Sequence, residues 1–100
     1  MMISLDDSFS VSDQVISRDL DREAVILNLD TGTYFGLDEV GTRMWDLIAE
    51  HGSLRRVLDN LVDEYEASPE VLQSDLLRLV GELFGKGLLR VAGAAQRRSR

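Results

Sequence analysis

The stretch that most constrains the fold is residues 23–37, EAVILNLDTGTYFGL. Ala24–Leu29 is a run of β-branched and aliphatic residues, Asp30–Gly32 has the composition of a turn, and Thr33–Leu37 returns to strand-forming residues. Gly32 can adopt the left-handed conformation that a three-residue hairpin loop requires. The sequence therefore predicts two antiparallel strands joined by a tight turn.

The second strand of this hairpin is expected to have an open outer edge. The segment that follows Leu37 has helical periodicity, so the strand has no following neighbour with which to pair. An open edge is a row of unpaired backbone donors and acceptors, which a folded protein either protects or uses.

The residues before the hairpin predict one further strand. The first strand should begin near Val11, with strand-forming residues at 14–18 and a polar turn at 19–22. Together with the hairpin, this segment predicts a three-stranded antiparallel meander. Within the middle strand, Ala24–Leu29, alternate side chains should point to opposite faces of the sheet.

Three helices are predicted after the sheet, each with a capping residue followed by apolar residues at helical spacing. The predicted N-caps are Asp38, Ser53 and Ser68. Pro69 strengthens the third start, because proline is tolerated at the first helical position, and this helix should end near Gly85. Leu88–Val91 is a candidate for a short terminal strand or a packed extension. Three strands followed by three helices form an α+β fold.

The third helix has a wider apolar face than packing on one core requires. Its apolar side chains occupy an arc of roughly 160°, whereas one packing stripe needs about 100°. They are Leu72, Leu76, Leu77, Leu79, Val80, Leu83 and Phe84. Either the helix contacts both the sheet and the other helices, or part of the surplus contacts a second molecule.

Composition places the chain among ordinary globular domains. A hydrophobic content of 44% with 29% charged residues in 100 residues suits one domain with its own core. No basic segment precedes an apolar one at the N-terminus, and no apolar run is long enough to cross a membrane. We therefore expect a cytoplasmic protein without a signal peptide or a membrane span.

The domain itself should span residues 10–91. Residues 1–9 are small, polar and acidic, and we expect a flexible N-terminus. Residues 92–100 lack apolar periodicity, and we expect a flexible C-terminal tail whose arginines form no ordered patch.

The residues show no catalytic constellation. The absence of cysteine excludes thiol catalysis, zinc-thiolate sites and disulfides. His51 is the only histidine, and capping and the helix dipole explain its position before Gly52 at a helix end. Acidic pairs such as Asp63 and Glu64 have no neighbouring histidine or cysteine ligand, which indicates a solvated surface. We therefore expect a protein that is not an enzyme and that binds no cofactor or metal.

The order and spacing of these segments closely resemble the PqqD family. The resemblance rests on LNLDTGTYFGLDEVGTRMWDLI from Leu27 onward, VLDNLVDEY in the second helix and DLLRLVGELFGKGLL near the end. It covers about residues 10–91. The family takes its name from a protein of pyrroloquinoline quinone biosynthesis and includes stand-alone leader-binding proteins of lasso-peptide pathways. The segment TGTYFGLDEVG is most similar to the lasso-peptide type.

The resemblance implies a winged helix-turn-helix fold and a function in peptide recognition. Such a protein captures the leader of a ribosomally made precursor peptide and passes it to a processing enzyme. That enzyme would be the cysteine peptidase of a lasso-peptide pathway or a radical-SAM enzyme. The leader is expected to add as a strand in a cleft between the third strand and the third helix.

By position, the resemblance implies a set of peptide contacts on these two elements. They are Thr33, Tyr34, Phe35, Gly36, Leu72, Asp75, Leu76 and Leu79, with Leu77 on the flank. Because the net charge is −7, we also expect the bound leader to place a Lys or Arg near Asp75.

The alternative function is a winged-helix DNA-binding regulator, in which one helix enters the major groove. Charge argues against it, since phosphate backbones are bound mainly through clustered Lys and Arg. The third helix instead carries Glu70, Asp75 and Glu82 against Arg78, with Lys86 just beyond its end. We therefore expect no nucleic-acid partner.

Overall fold

The computed structural model describes residues 2–92, which form an α+β fold with three helices. The elements, in chain order, are β1 (Phe9–Val11), β2 (Val15–Leu20), β3 (Glu23–Asn28), β4 (Tyr34–Gly36), α1 (Glu39–His51), α2 (Leu54–Glu64), α3 (Pro69–Gly85) and β5 (Leu89–Val91). The predicted order of sheet and helices is confirmed.

The predicted three-stranded meander is present as an antiparallel sheet with the strand order β2-β3-β4. Gly32 has a φ of 76°, so the β3–β4 turn uses the left-handed glycine that the sequence predicts. The β2–β3 turn is shorter than the predicted 19–22. Asp21 and Arg22 both have positive φ, 55° and 70°, which lets a two-residue turn match the twist of the strands. Asp19 and Leu20, which were predicted to lie in the turn, therefore belong to β2.

The two faces of this sheet differ in burial. Ala24 and Ile26 of β3 point toward the helices and are almost fully buried, at 1% and 0% exposure. The opposite face, here called the outer face, carries the exposed side chains of Ile16, Leu20, Val25 and Tyr34. The alternation predicted for β3 is therefore confirmed, and the helices cover one face only.

The three helices begin at the predicted caps. The carboxylate of Asp38 accepts a hydrogen bond from the Gly41 N–H at 2.8 Å, and Ser53 and Ser68 cap α2 and α3 in the same way. The core lies between the helices and the inner face of the sheet. Its largest fully buried side chains are Phe9, Ile26, Leu47, Ile48, Leu54, Leu61, Leu76, Leu83, Leu88, Val57 and Val80.

The N-terminal region differs from the prediction. Phe9, expected in a flexible segment, has 0% exposure and packs edge-on against Phe84 with 5.9 Å between ring centroids. β1 is not part of the meander but pairs antiparallel with β5, from Phe9↔Val91 to Val11↔Leu89. A run of three residues shows too little alternation to identify a strand, and its partner is about 80 residues away. The terminal strand proposed for 88–91 is confirmed, and its partner was not foreseen.

The predicted C-terminal tail lies almost entirely outside the described residues. Within it only Ala92 is described, and its N–H donates to the Ser8 carbonyl at 2.9 Å. This bond continues the pairing of β1 with β5.

Asn28 is a buried polar residue whose side chain joins two turns. Its Oδ1 accepts from the N–H groups of Asp30 at 2.8 Å and Thr31 at 3.3 Å, which holds the β3–β4 turn. Its Nδ2 donates to the Gly87 carbonyl at 3.0 Å, at the end of α3. The hairpin is thereby tied to the end of α3.

The burial of Phe9 gives a direct test of the fold. Phe9→Ala removes a fully buried ring and should lower the free energy of unfolding by about 3–5 kcal/mol. The matched variant Ile16→Ala, on the outer face at 54% exposure, should cost less than about 1 kcal/mol. Chemical denaturation measures both, and equal losses would contradict the packing of β1 in the core.

Candidate functional site

β4 is paired on one side only. Two hydrogen bonds at the ends of β4 show which of its residues direct their N–H and C=O groups toward β3. Leu37 N–H donates to the Ala24 carbonyl at 2.8 Å, and Asn28 N–H donates to the Thr33 carbonyl at 2.8 Å. Because backbone groups alternate in direction along an antiparallel strand, residues 33, 35 and 37 face β3.

The backbone N–H and C=O groups of Tyr34 and Gly36 therefore point away from the sheet. No other strand among residues 2–92 pairs with β4. The open edge that the sequence predicts is thus confirmed, and it consists of two donors and two acceptors. Thr33 and Phe35, although predicted to contact peptide, already direct their backbone groups toward β3.

A cleft of about 210 Å³ lies beside this edge. We call it the β4–α3 cleft. Its lining residues are Phe35, Gly36, Leu37 and Asp38 at the end of β4, Val40, Gly41 and Met44 of α1, and Asp75, Arg78, Leu79 and Glu82 of α3. Leu37, Met44 and Leu79 are almost fully buried apolar side chains within this lining, whereas the charged side chains lie on α3 and at the start of α1. The cleft therefore combines apolar walls with a charged rim.

The α3 wall matches the length of β4. Asp75, Leu79 and Glu82 follow one another at helical spacing and form one stripe about 10 Å long. Three residues of an extended chain span a similar distance, at about 3.3 Å each. A peptide strand placed beside β4 could thus contact the backbone of β4 and the whole stripe at once.

Four of the predicted contact residues line the cleft, namely Phe35, Gly36, Asp75 and Leu79. Tyr34 offers its backbone to the open edge, but its side chain is on the outer face at 71% exposure. Thr33 ends the turn, where its N–H donates to Thr31 Oγ1 at 3.2 Å.

The other predicted residues of α3 do not line the cleft. Leu72 and Leu76 are buried in the core at 4% and 0% exposure. Leu77 is half-buried against the core and lies about 200° around the helix from Asp75. The surplus apolar width of α3 is thus largely used inside the protein, since Phe84 also packs on Phe9.

Three residues that line the cleft were not predicted from the sequence, namely Met44, Arg78 and Glu82. Arg78 and Glu82 lie at i+3 and i+7 from Asp75, so the helical period could have identified them once Asp75 was chosen. Met44 lies on the buried face of α1, at 2% exposure. Its contribution to the cleft depends on how α1 and α3 cross.

The charges of the cleft are unequally compensated. The Asp75 carboxylate accepts from Arg78 Nη2 at 3.3 Å, so these two charges balance. Asp38 uses one carboxylate oxygen to cap α1. Lys86, which follows α3, holds its Nζ 5.8 Å from the centre of the Phe35 ring. Among the described residues, Glu82 forms no ion pair.

A second group of charged residues lies around α1, away from the cleft. Arg43 donates two hydrogen bonds to Glu64, at 2.8 and 2.7 Å, and this contact lowers the pKa of the Glu64 carboxyl. Burial, aided by nearby Asp19, raises the pKa of Asp46. The Arg43–Glu64 pair links α1 to the end of α2, which is a structural role.

Residues 2–92 contain no group of three or more acidic or histidine side chains placed to hold a metal ion. Over the same range, no helix has the length and apolar character needed to cross a membrane.

Comparison with known proteins gives two kinds of match. The family model described as coenzyme PQQ synthesis protein D (PqqD) matches residues 23–89. Among solved structures, TbiB1 in complex with the TbiA(beta) leader peptide is 40% identical, with a TM-score of 0.76 over 81% of this chain and 94% of that one. No curated protein matches the chain.

A second solved structure supports the fold alone. Lasso peptide synthetase B1 complexed with the leader peptide is 22% identical, with a TM-score of 0.74 over 83% of this chain and 98% of that one.

Three helices, a one-sided strand edge and an adjoining cleft define a small α+β domain with an exposed site for strand pairing. The chain belongs to the PqqD family, whose model matches more than half of its length. The resemblance noted from its sequence is therefore confirmed.

The geometry of β4 predicts an alternating pattern of amide exchange. The amides of Tyr34 and Gly36 should exchange rapidly with solvent because they point to the open edge. The amide of Leu37 should be protected because it donates to Ala24. Hydrogen exchange followed by NMR measures all three, and slow exchange at Tyr34 and Gly36 would contradict an open edge.

Proposed function

We propose that this protein binds the leader segment of a ribosomally synthesised precursor peptide as a strand added to β4. The observation that carries the proposal is the pair of outward-facing backbone units at Tyr34 and Gly36 beside the β4–α3 cleft. Strand addition uses these features in combination, since backbone pairing supplies affinity and side-chain pockets supply specificity. The 40% identity to TbiB1, solved with a leader peptide, supports the same conclusion.

The free energies involved explain why the open strand edge alone is insufficient to bind a leader. Two donors and two acceptors allow four hydrogen bonds, worth about 4 kcal/mol at a net ~1 kcal/mol each. Ordering a disordered peptide costs about 2–5 kcal/mol, which removes most of this gain. Each apolar leader side chain buried in the cleft contributes roughly 1.5–3 kcal/mol. Binding therefore depends on the contacts with Leu79, Met44 and Leu37.

The geometry of an added strand also determines which leader side chains contact the cleft. Side chains of an added strand alternate between the two faces of the sheet. Every second leader residue would face the β4–α3 cleft, and the residues between them would lie on the outer face beside Tyr34. The leader motif should therefore have a period of two.

We further propose that the bound leader is delivered to a processing enzyme and that the chain itself is not an enzyme and uses no cofactor. The cysteine peptidase of a lasso-peptide pathway is the first candidate, because the segment TGTYFGLDEVG is most similar to the lasso-peptide type. A radical-SAM enzyme is the second. The three helices beside a three-stranded sheet support assignment to the winged helix-turn-helix folds. For a DNA-binding regulator, the acidic rim on α3 would repel phosphates.

A pair of substitutions at Gly36 tests strand addition. Gly36→Pro removes an outward N–H and places a ring on the open edge, so affinity for a synthetic TbiA(beta) leader should fall at least about tenfold. Gly36→Ala is the matched control, because a Cβ there meets no atom within 4 Å and the N–H is kept. Its affinity should stay close to that of the wild type.

Fluorescence anisotropy with labelled leader gives the affinities, and denaturation shows whether each variant is folded. In the wild type, the Tyr34 and Gly36 amides should become protected when the leader is added. Equal binding by the proline and alanine variants, or no binding by the wild type, would overturn the proposal.

Delivery predicts a specific kinetic effect on the partner enzyme. Holding the leader close to the enzyme raises the local concentration of the precursor, so adding the protein should lower the apparent KM far more than it changes kcat. A reconstituted reaction with precursor and enzyme measures both constants. A rise in kcat at saturating precursor with an unchanged KM would indicate allosteric activation instead of delivery.

A further inference from the structure

The charges along the α3 wall of the β4–α3 cleft are not equivalent. Asp75 and Arg78 form an ion pair at 3.3 Å, which leaves that end of the wall without net charge. Glu82, one turn further along, is exposed and forms no ion pair among the described residues. Its carboxylate is therefore the uncompensated charge of this wall.

The two basic residues nearest to Glu82 in sequence form no ion pair with it. Arg78 lies at i−4, but its guanidinium contacts Asp75. Lys86 lies at i+4, where a helical Glu–Lys pair would normally form, but α3 ends at Gly85 and Lys86 is its C-cap. The Lys86 ammonium instead lies over the Phe35 ring of β4. On the opposite wall, Asp38 adds a second negative charge to the cleft lining.

Glu82 is also placed to act together with an apolar contact. Leu79 precedes it by three residues on the same stripe, a rise of about 4.5 Å along the helix. Successive side chains on one face of an extended peptide are about 6.6 Å apart, which is more than this rise. A flexible Lys or Arg side chain can span the difference. A leader strand in the cleft would thus meet Leu79 with one side chain and Glu82 with the next on that face.

We infer that Glu82 is a specificity-determining residue that selects leaders with a Lys or Arg two residues away from a cleft-facing apolar residue. The inference rests on the proposed leader binding and assigns the basic contact to Glu82 instead of Asp75. Asp75 already has a cationic partner, so a leader cation there gains little. Glu82 has none within residues 2–92, so a leader cation gains an ion pair and a leader anion meets repulsion.

A charge scan of the leader tests this assignment. Each residue of the TbiA(beta) leader is replaced in turn by Lys and by Glu, and the affinity of the protein for every peptide is measured by anisotropy at low salt. One cleft-facing position should favour Lys over Glu by about fivefold or more. Glu82→Gln should remove this preference, and Glu82→Lys should reverse it at the same position.

Glu70→Lys is the matched control. It makes the same change of charge in the first turn of α3, outside the cleft lining, and should leave the preference in place. A reversal that also occurs in Glu70→Lys would show that net charge alone is responsible and would overturn the inference. So would a preference that Asp75→Asn removes and Glu82→Gln does not.

These outcomes are separable from failure of the proposed function. If no leader peptide binds to the wild type, leader binding itself is wrong, and the inference is wrong with it. If leaders bind but show no charge preference that depends on Glu82, the inference alone is wrong. Reversal confined to Glu82→Lys supports both.

Discussion

The one-sided pairing of β4 with β3 is the constraint on which the site depends. Buried backbone groups must be hydrogen-bonded, and β3 provides partners for only one side of β4. The chain then enters α1 directly, capped by Asp38, so β4 cannot extend beyond three residues. The buried bond from Ala24 N–H to Thr42 Oγ1, at 2.8 Å, fixes β3 against the same helix. A short, rigidly placed edge results.

The cleft beside this edge forms because α3 contributes side chains both to the core and to the cleft lining. Leu76 and Leu83 are fully buried in the core, and Phe84 is covered by Phe9 from the β1–β5 sheet. Of the α3 side chains, only Leu79 belongs to both the core and the cleft lining. The wide apolar arc of α3 is therefore explained mostly by an internal partner, and the part offered to a ligand is narrow.

The parts of this structure that could be predicted from sequence are those with local signals. The caps at Ser53 and Ser68 and the left-handed Gly32 each depend on a few neighbouring residues, and they locate elements to within a residue or two. Pairing of β1 with β5 and the bond from Asn28 to Gly87 depend on residues 59 or more positions apart. No local pattern encodes such contacts. The open edge was predictable because the change from strand to helix after Leu37 is a local signal. The position of Met44 in the cleft lining was not, because it depends on how α1 and α3 cross.

The backbone edge of β4 and the side chains of α3 contribute differently to the selectivity for a peptide. In the proposed binding mode, hydrogen bonds to Tyr34 and Gly36 would involve backbone groups that every peptide possesses except at proline, so they would not distinguish one leader from another. Discrimination must come from side chains, and specificity requires a cost for the wrong partner as well as a gain for the right one. An apolar wall at Leu79 penalises polar side chains only weakly when solvent is near. The Glu82 carboxylate, which forms no ion pair among residues 2–92, would supply repulsion as well as attraction. In the proposed binding mode, this single exposed charge would discriminate between peptides that pair equally well with β4.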